Sequence, residues 1–482
     1  PMSFQSYTFL FLLLPVAVAV WWLLNWRGHG KLAQGFLLLV SLAFYGKARL
    51  AFLPILLGSI LFNFWVGKGL QTFARCQKGL LALGLLGNLG LLGYFKYANF
   101  FLENVNRVLG TSLGALTLLL PLGISFFTFQ QIAYLMDCYR GDKPNYTLLE
   151  YACFVSFFPC VTSGPIAFYD EVIPQLRAAN GHGPTAQTIA EGLWLFSLGM
   201  WKKVLLAHAF GGGADWGYNN IPALNSTTAL AVVLSYTLQL YFDFSGYTDM
   251  ARGIGKMMGV TLPENFDVPY QALTIRGFWK GWHITMTRFF TRYLYIPLGG
   301  SRKGTSRTCV NTMIIFLASG LWHGADWSFV VWGGLHGIAM VADRLLGSRL
   351  EKVHPALSWA VTFAYVNLCW IFFRADSIHQ ALSMGKAIAR CNFGALSDQF
   401  TDNFQLALPA WIGREMGITL PRLALLMFLA FTAFALVFCL QEKPVKNRKF
   451  VMTGKKGVLA GVLLFWSIIS LGTVTQFIYS NF

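Results

Sequence analysis

The chain has 482 residues, of which 55% are hydrophobic and only 12% are charged. Soluble domains carry about 45–50% apolar and about 25% charged residues, so this composition excludes an ordinary soluble protein. The 37 basic residues exceed the 20 acidic ones and give a net charge of +17. Because Lys and Arg are retained on the cytoplasmic side of a membrane, this excess predicts topology and does not indicate nucleic acid as a partner. A basic cytoplasmic face also suits anionic lipids or an anionic cosubstrate.

Apolar runs recur along the whole sequence and leave no long polar stretch, which predicts a single membrane-embedded domain over residues 1–482. A bilayer crossing needs about 20 residues, and we expect about ten to twelve crossings with some re-entrant or interfacial pieces. The runs are 7–22, 32–52, 53–66, 79–97, 113–134, 151–168, 193–210, 229–244, 310–321, 328–342, 360–373, 423–440 and 457–477.

Residues 251–307 form a basic segment, with nine Lys and Arg against Glu264 and Asp267, and are expected to face the cytoplasm. Two stripes recur within this segment at helical spacing. The polar stripe is Arg276, Lys280, His283 and Thr287, and the opposite stripe is Phe278, Trp282, Thr285 and Phe289. This pattern predicts one amphipathic helix that lies in the membrane interface or dips into the protein.

Ionisable residues beside apolar runs are costly in a membrane, so each is a candidate for function. His323 follows the apolar run 310–321, with Asp326 and His336 further along the chain. A histidine at such a place is often a hydrogen-bonded core residue, but it is also the side chain best suited to take a proton near neutral pH. His283 is the second candidate.

Asp243 and Asp249 lie near the end of the run 229–244. Carboxylates six residues apart on a helix do not face each other, which disfavours a shared acid/base pair. Helix capping, pairing with Arg or a structural hydrogen-bond network are the predicted roles.

Two absences narrow the class of protein. The eight cysteines form no C-x-x-C pair, and no His or Cys pair accompanies Cys153 and Cys160, so we expect no metal site. No Gly-Lys pair is followed by Ser or Thr, so there is no Walker A loop and an ATP-driven pump is disfavoured.

Five longer blocks follow one another between residues 235 and 327. They are 235–250 with its ending Ser-Gly-Tyr-Thr-Asp-Met, Pro-Glu-Asn-Phe-Asp-Val-Pro-Tyr at 263–270, Phe-Trp-Lys-Gly-Trp-His-Ile-Thr at 278–285, Tyr-Leu-Tyr-Ile-Pro-Leu-Gly-Gly at 293–300 and Gly-Leu-Trp-His-Gly-Ala-Asp-Trp at 320–327. Supporting pieces are Gly-Tyr-Phe-Lys-Tyr-Ala-Asn-Phe at 93–100, the stretch 121–130 and Ser-Gly-Pro-Ile at 163–166. Together they closely resemble the membrane-bound O-acyltransferase (MBOAT) family, and within it the bacterial branch that O-acetylates secreted polysaccharides such as alginate.

The resemblance implies an all-α polytopic fold whose helices surround a central channel, with His323 and His283 facing that channel. It also implies an acyltransferase in the bacterial inner membrane that takes acetyl from cytoplasmic acetyl-CoA. We expect His323 to be a general base or a transient acetyl carrier, and His283 to position or polarise the thioester.

The remaining site residues are expected to bind the donor or support the channel. The cations expected to pair with CoA phosphates are Arg276, Lys280, Arg288, Arg292, Arg302 and Lys303. Those expected to wall or support the channel are Trp279, Trp282, Trp322, Asp326, His336, Asp243 and Asp249.

The chain shows no soluble stretch able to grip a polymer, so a separate periplasmic acetyltransferase or accessory protein is the expected partner. The polymer stays open between alginate, cellulose and peptidoglycan. Two alternatives also stay open at this point: transfer of another acyl group, such as D-alanyl to teichoic acid, and a non-enzymatic export or transport subunit.

Overall fold

The computed structural model describes residues 3–142, 145–350, 352–404 and 451–471. No β-strand occurs in these ranges, and the only bridge found there joins Phe266 to Trp282. Helices satisfy their backbone polar groups internally, which is what an apolar chain in a bilayer requires. The predicted all-α class is confirmed.

Helices make up most of the described part of the chain. Its first half forms α1 Leu14–Trp26, α2 Gly30–Ala48, α3 Leu53–Thr72, α4 Gln77–Leu92, α5 Ala98–Leu109, α6 Ile124–Arg140, α7 Leu148–Ser156, α8 Tyr169–Ala178, α9 Ala186–Trp201, α10 His208–Asn219 and α11 Ser226–Met257. Its second half forms α12 Ile275–Gly281, α13 Ile284–Phe290, α14 Gly304–His323, α15 Trp327–Leu350, α16 Pro355–Arg374, α17 Ile378–Ala389, α18 Asp398–Asp402 and α19 Gly454–Ile469. Four π-helical turns, Phe9–Leu13, Gly93–Tyr97, Lys202–Ala207 and Thr291–Tyr295, adjoin these helices.

Five helical stretches in the described part of the chain are long and apolar enough to cross a membrane. They are Phe9–Trp26, Leu50–Thr72, Ala74–Leu109, Trp327–Gly347 and Pro355–Arg374. Each overlaps one of the apolar runs predicted from sequence. The run 423–440 and the end of the run 457–477 lie outside the described residues.

The run 151–168 does not form the spanning helix that its apolar composition suggested. Helix α7 ends at Ser156, and residues 157–168 continue as turns that are buried inside the protein. Side chains from distant segments satisfy part of this irregular backbone: the N–H of Phe158 donates to Ser41 Oγ at 3.3 Å and that of Ile166 to Thr285 Oγ1 at 3.1 Å. Non-helical backbone is tolerated at membrane depth only where protein encloses it in this way.

Glycines bring α9 and α11 into close contact. Gly192 and Gly199 on α9 face Gly253 and Gly246 on α11. A Cβ atom on Gly199 would lie 2.5 Å from the carbonyl oxygen of Gly246, and one on Gly192 would lie 2.7 Å from that of Gly253. Small residues at such positions let helix backbones pack closely where no hydrophobic effect drives association.

Asp243 and Asp249 both lie on α11 and pair with the π-helical turn that follows α9. Lys203 forms a buried ion pair with Asp243, and Lys202 donates to Asp249 Oδ2 at 2.7 Å. Of the roles predicted for these carboxylates, charge pairing is the one observed, but the partners are lysines of the π-helical turn after α9 and not arginines. Both carboxylates therefore stabilise the α9–α11 contact.

Gly199→Ala is expected to destabilise the folded protein by about 1–3 kcal/mol, because the new methyl group would overlap backbone atoms of Gly246 and Met250, which cannot move aside as a flexible side chain can. Thermal unfolding of the detergent-solubilised protein measures the effect. Gly58→Ala on α3 is the matched control, since a Cβ there meets no atom within 4 Å. Equal melting temperatures for the two variants would contradict the close α9–α11 contact.

Candidate active site

His283 lies at a break between α12 and α13, so the single amphipathic helix predicted across 276–289 is wrong. The backbone after Asn265 pairs with the backbone around the break: Asp267 N–H donates to Gly281 O at 2.9 Å, and Ile284 N–H donates to Asn265 O at 3.1 Å. His283 adopts a left-handed conformation with φ +46° and is fully buried, not on an exposed face. Strained residues of this kind cost about 1–3 kcal/mol and cluster at functional sites.

The hydrogen bonds of Asn265 define the tautomer of His283. The backbone N–H and the hydroxyl of Thr285 both donate to Asn265 Oδ1, at 3.2 and 2.6 Å, so this atom is an acceptor. His283 Nδ1 lies 3.3 Å from the same oxygen and must therefore be the protonated nitrogen. A neutral ring then has a lone pair on Nε2, for which no hydrogen-bond partner is found within the described residues.

His323 is the last residue of α14 and is only 2% exposed. The helix ends there because Gly324 turns the chain into an extended conformation at φ −160°. The His323 ring packs against Trp332 and Phe373, each with a centroid distance of 5.1 Å. Its centroid lies 6.2 Å from that of His283. The two histidines that the sequence ranked first thus lie side by side in one buried region, one from the break before α13 and the other from the end of α14.

His336 on α15 has a hydrogen bond that fixes its tautomer. Trp279 Nε1–H donates to His336 Nδ1 at 3.2 Å, so a neutral His336 carries its proton on Nε2. Its ring lies among Trp279 and Trp332, with centroid distances of 5.0 Å to each. His336 therefore lies inside α15 and packs against Trp332, which in turn packs against His323.

Tryptophans surround these histidines. The centroid of Trp322 lies 4.8 Å from that of His323 and 5.9 Å from that of His283. Trp282 is buried and stacks on Phe278 at 5.6 Å. We call the three histidines together with Trp279, Trp282, Trp322 and Trp332 the aromatic cluster. Its rings are closely packed, and the three histidines are buried among them.

Asp326 lies directly before α15 and does not contact a histidine in any observed hydrogen bond. Its Oδ1 accepts the backbone N–H of Ser328 at 2.7 Å, near the first residue of α15. This is the geometry of an N-cap, which satisfies one of the free N–H groups at a helix start. Asp326 therefore supports the turn that follows His323.

A cavity of about 210 Å³ lies between α12 and α13 on one side and α14 and α15 on the other. Arg276 and Arg344 line it and are exposed, whereas Trp279, Met286 and Ser319 line it and are buried. The cavity is therefore cationic at its open end and apolar at depth. Trp279 lines the cavity and contacts His336, with a ring-centroid distance of 5.0 Å, so the buried end of the cavity reaches the edge of the aromatic cluster.

The six cations expected to bind the donor occupy different surroundings. Arg276 lines the cavity, while Lys280, Arg302 and Lys303 are exposed outside its lining. Arg288 pairs with Glu171 and lies 4.3 Å from the centroid of Phe168, and Arg292 donates to Asp137 Oδ2 at 2.9 Å. These last two already have carboxylate partners, which would compete with a phosphate.

Four residues of the site were not singled out from sequence. Asn265 and Thr285 orient His283, Lys96 contacts the end of α14, and Arg344 lines the cavity. Lys96, Asn265 and Thr285 lie in the blocks that carried the family resemblance, and that was the signal that could have marked them. Arg344 follows the apolar run of α15 and had no such signal.

A family profile and several known proteins match this chain in sequence. A profile of the MBOAT, membrane-bound O-acyltransferase, family matches residues 142–378. The peptidoglycan O-acetyltransferase of Helicobacter pylori is 41% identical over 421 residues, which cover 81% of this chain and 80% of the relative. The probable alginate O-acetylase of Pseudomonas aeruginosa is 40% identical over 401 residues, which cover 80% and 75%.

A more distant relative transfers a different group. The teichoic acid D-alanyltransferase of Bacillus subtilis is 26% identical over 277 residues, which cover 54% of this chain and 69% of the relative. The matched region 142–378 includes His283, His323 and His336, the residues that the fold gathers into the aromatic cluster. The chain therefore belongs to the membrane-bound O-acyltransferase family and is a membrane-embedded acyltransferase.

Proposed function

We propose that this acyltransferase takes the acetyl group of cytoplasmic acetyl-CoA and passes it across the bacterial inner membrane for O-acetylation of an exported polysaccharide. The names of two relatives, a peptidoglycan O-acetyltransferase and a probable alginate O-acetylase, support the acetyl group and the polysaccharide. The observation that carries the chemistry is the buried pair His283 and His323, with ring centroids 6.2 Å apart beside a cavity.

The cavity fits the two ends of acetyl-CoA. The nucleotide end is polyanionic and matches the cationic opening formed by Arg276 and Arg344. The pantetheine arm is long, narrow and weakly polar, and matches the deeper lining of Trp279, Met286 and Ser319. Bound in this direction, the donor places its thioester at the end of the cavity that adjoins the aromatic cluster.

The transfer step needs one base. The oxygen of an acceptor hydroxyl forms a bond to the carbonyl carbon of the thioester while His323 takes the hydroxyl proton. The C–S bond then breaks, and the sulfur of CoA receives the proton from His323 and leaves as the thiol. The products are an O-acetyl ester and CoA, and the histidine returns to its neutral form.

The second route that the residues allow is a transient acetyl-imidazole on His323. In that route the imidazole nitrogen bonds the carbonyl carbon first, CoA leaves as the thiol, and the acceptor hydroxyl then displaces the imidazole. Both routes use the same residue and the same cavity, and they differ in whether acetylated enzyme accumulates without acceptor.

We propose a role for His283 other than polarisation of the thioester. Because its proton lies on Nδ1 against Asn265, the neutral ring offers only a lone pair at Nε2 and has no hydrogen there to donate to a carbonyl oxygen. A buried lone pair whose ring centroid lies 6.2 Å from that of His323 instead attracts the imidazolium that forms during transfer. We therefore assign His283 the orientation and stabilisation of charged His323.

The acceptor lies on the other side of the membrane from the donor. Acetyl-CoA is made in the cytoplasm, whereas an exported polymer is modified outside it. We propose a separate periplasmic protein as the immediate acceptor, which carries the acetyl group to the sugar. The polymer itself is either alginate, cellulose or peptidoglycan.

Deletion of the gene tests the proposed function. The exported polysaccharides of wild-type and deletion cells are compared by mass spectrometry before and after mild base, which removes O-acetyl esters. We expect one polymer to lose its base-labile acetyl groups in the deletion strain and to regain them with the wild-type gene. Unchanged acetylation of every exported polymer would contradict the proposal.

Arg276→Ala combined with Arg344→Ala is expected to raise the KM for acetyl-CoA by roughly 2- to 30-fold, since each exposed ion pair contributes about 0.2–1 kcal/mol. The kcat should change little, because neither arginine contacts a histidine in any observed interaction. Initial rates at several salt concentrations measure this, and the salt dependence of KM should weaken in the variant.

The matched control removes two exposed cations from another surface. Lys386→Ala with Arg390→Ala changes the charge of α17 equally and touches no part of the donor cavity. Equal KM values for the two double variants would rule out the cavity opening as the donor site.

A further inference from the structure

The end of α14 is held by two consecutive residues of a distant segment. Lys96 and Tyr97 lie in the π-helical turn Gly93–Tyr97 between α4 and α5. Tyr97 donates its hydroxyl hydrogen to the carbonyl oxygen of Leu321 at 2.5 Å, and Lys96 Nζ donates to that of Trp322 at 2.5 Å. These are the two carbonyls immediately before His323.

The last carbonyls of any helix lack partners within the helix and must be satisfied from elsewhere. At a helix end inside a membrane protein, water does not freely fill this role, so a side-chain donor is required. A cation is especially favourable there, because the helix dipole places partial negative charge at the carboxyl end. Lys96 and Tyr97 thus act as a carboxyl-terminal cap for α14.

Lys96 is unusual for a lysine in a span. It lies in the candidate membrane stretch Ala74–Leu109, and no carboxylate in the described part of the chain forms an ion pair with it. Its remaining contacts are Ser125 Oγ at 3.2 Å and the ring of Trp322, whose centroid lies 5.9 Å from Nζ. An ionisable residue kept in a membrane without a counter-ion is costly and indicates a function.

The contacts of Trp322 connect this cation to His323. Lys96 binds both the backbone oxygen and the ring face of Trp322. The other neighbours of that ring include Phe129, at a centroid distance of 5.1 Å, and His323, at 4.8 Å. Movement of the Trp322 peptide or ring would therefore turn the His323 side chain that follows it.

We propose that Lys96 and Tyr97 are positioning residues for acyl transfer: their cap on the Leu321 and Trp322 carbonyls sets the direction of the His323 imidazole. The inference rests on the proposed function of His323 as the residue that receives the acceptor proton or the acetyl group. The donor cavity is lined by other residues, so the cap acts on the transfer step and not on donor binding.

Three variants test the cap in purified, reconstituted enzyme with acetyl-CoA as donor. Lys96→Met keeps the length of the side chain and removes the charge and the donors. Its kcat should fall on the order of 10²-fold, as a misplacement of about 1 Å does, with KM for acetyl-CoA unchanged. Lys96→Arg restores a cation and donors and should recover at least tenfold over Lys96→Met. Tyr97→Phe removes one hydrogen bond and should show a smaller loss of kcat.

Lys68→Met is the matched control. Lys68 is also a lysine of an apolar helix, with Nζ 5.6 Å from the centroid of Phe64, and it does not contact α14 in any observed interaction. It should keep wild-type kcat and KM. A Lys96→Met enzyme with wild-type kcat would overturn the inference, and so would a variant in which only KM rises.

Amide hydrogen exchange of residues 319–324 separates this inference from the proposed function. Loss of the cap should speed exchange there in Lys96→Met and leave it unchanged in Lys68→Met. If wild-type enzyme transfers no acetyl group from acetyl-CoA, the proposed function fails, and the exchange rates still decide whether Lys96 holds the helix end. Unchanged exchange in Lys96→Met overturns the cap whatever the activity.

Discussion

His323→Ala is expected to lower kcat for acetyl transfer by about 10²- to 10⁴-fold, the contribution that a positioned acid–base residue typically makes. The KM for acetyl-CoA should stay close to that of the wild type, because the donor cavity is lined by residues of α12 to α15 other than this histidine. The measurement is the initial rate of acetyl transfer in reconstituted vesicles at equal amounts of folded protein.

The control for this variant is an exposed histidine. His379 lies on α17 and contacts no part of the aromatic cluster in any observed interaction, so His379→Ala should keep the wild-type rate. Wild-type kcat in His323→Ala would remove His323 from the mechanism. A large rise in KM with unchanged kcat would assign it to donor binding instead.

An experiment on the wild-type enzyme without acceptor shows whether His323 is a general base or an acetyl carrier. Wild-type protein is mixed with labelled acetyl-CoA in the absence of acceptor, and the peptide that contains His323 is examined by mass spectrometry. A carrier gives a burst of CoA release and an acetylated peptide, whereas a general base gives neither. Both outcomes are compatible with the large loss expected for His323→Ala.

Asn265→Leu is expected to lower kcat on the order of 10²-fold through His283, because the ring loses the acceptor that fixes its tautomer and direction. The buried Nδ1–H and the donors of Thr285 are left without that oxygen, which also costs about 1–3 kcal/mol of stability. Asn265→Asp keeps an acceptor at the same place and should retain more activity than Asn265→Leu. Rates and melting temperatures of both variants measure the two effects.

Asn367→Leu controls for the loss of a buried amide. Asn367 Oδ1 accepts the hydroxyl hydrogen of Thr237 at 2.6 Å in the contact between α11 and α16, and Asn367 contacts no histidine in any observed interaction. It should lose similar stability and keep its kcat. If Asn265→Leu and Asn367→Leu lose the same stability and both keep wild-type kcat, Asn265 has only a structural role.

The sequence located the histidines but not the geometry of His283. Residues 276–289 have helical periodicity, and local spacing alone therefore predicts one helix with His283 on its polar face. The break depends on backbone pairing with Asn265 and Asp267, which lie outside that window. Tertiary pairing of this kind overrides local propensity, and it buried a residue that periodicity had placed at the surface.

For the cations too, sequence alone does not reveal contacts with residues far along the chain. The six residues assigned to donor binding are alike in sequence, since each is a Lys or Arg of one basic segment. Their differences arise from partners far along the chain: Arg288 meets Glu171 and Arg292 meets Asp137. Arg344, which lines the cavity beside Arg276, belongs to another helix and could be found only once α12 and α15 were packed together.

Two features, the all-α class and the position of His323, could be predicted from apolar composition and motif spacing alone. The all-α class follows from the absence of polar stretches, and His323 followed from its place at the end of an apolar run inside a family motif. The prediction for the 151–168 run was wrong because apolar composition marks burial equally well in a membrane helix and in a buried turn.

Transfer of a labelled acetyl group by the purified enzyme in sealed vesicles tests the central claim most directly. Vesicles are prepared with labelled acetyl-CoA on the side that bears Arg276 and Arg344, and with the periplasmic partner or a polysaccharide acceptor on the other. Wild-type enzyme should place a base-labile labelled acetyl ester on the acceptor across the membrane, and His323→Ala should not. Equal labelling by the two enzymes, or no labelling by the wild type with any such acceptor, would contradict acetyl transfer through His323.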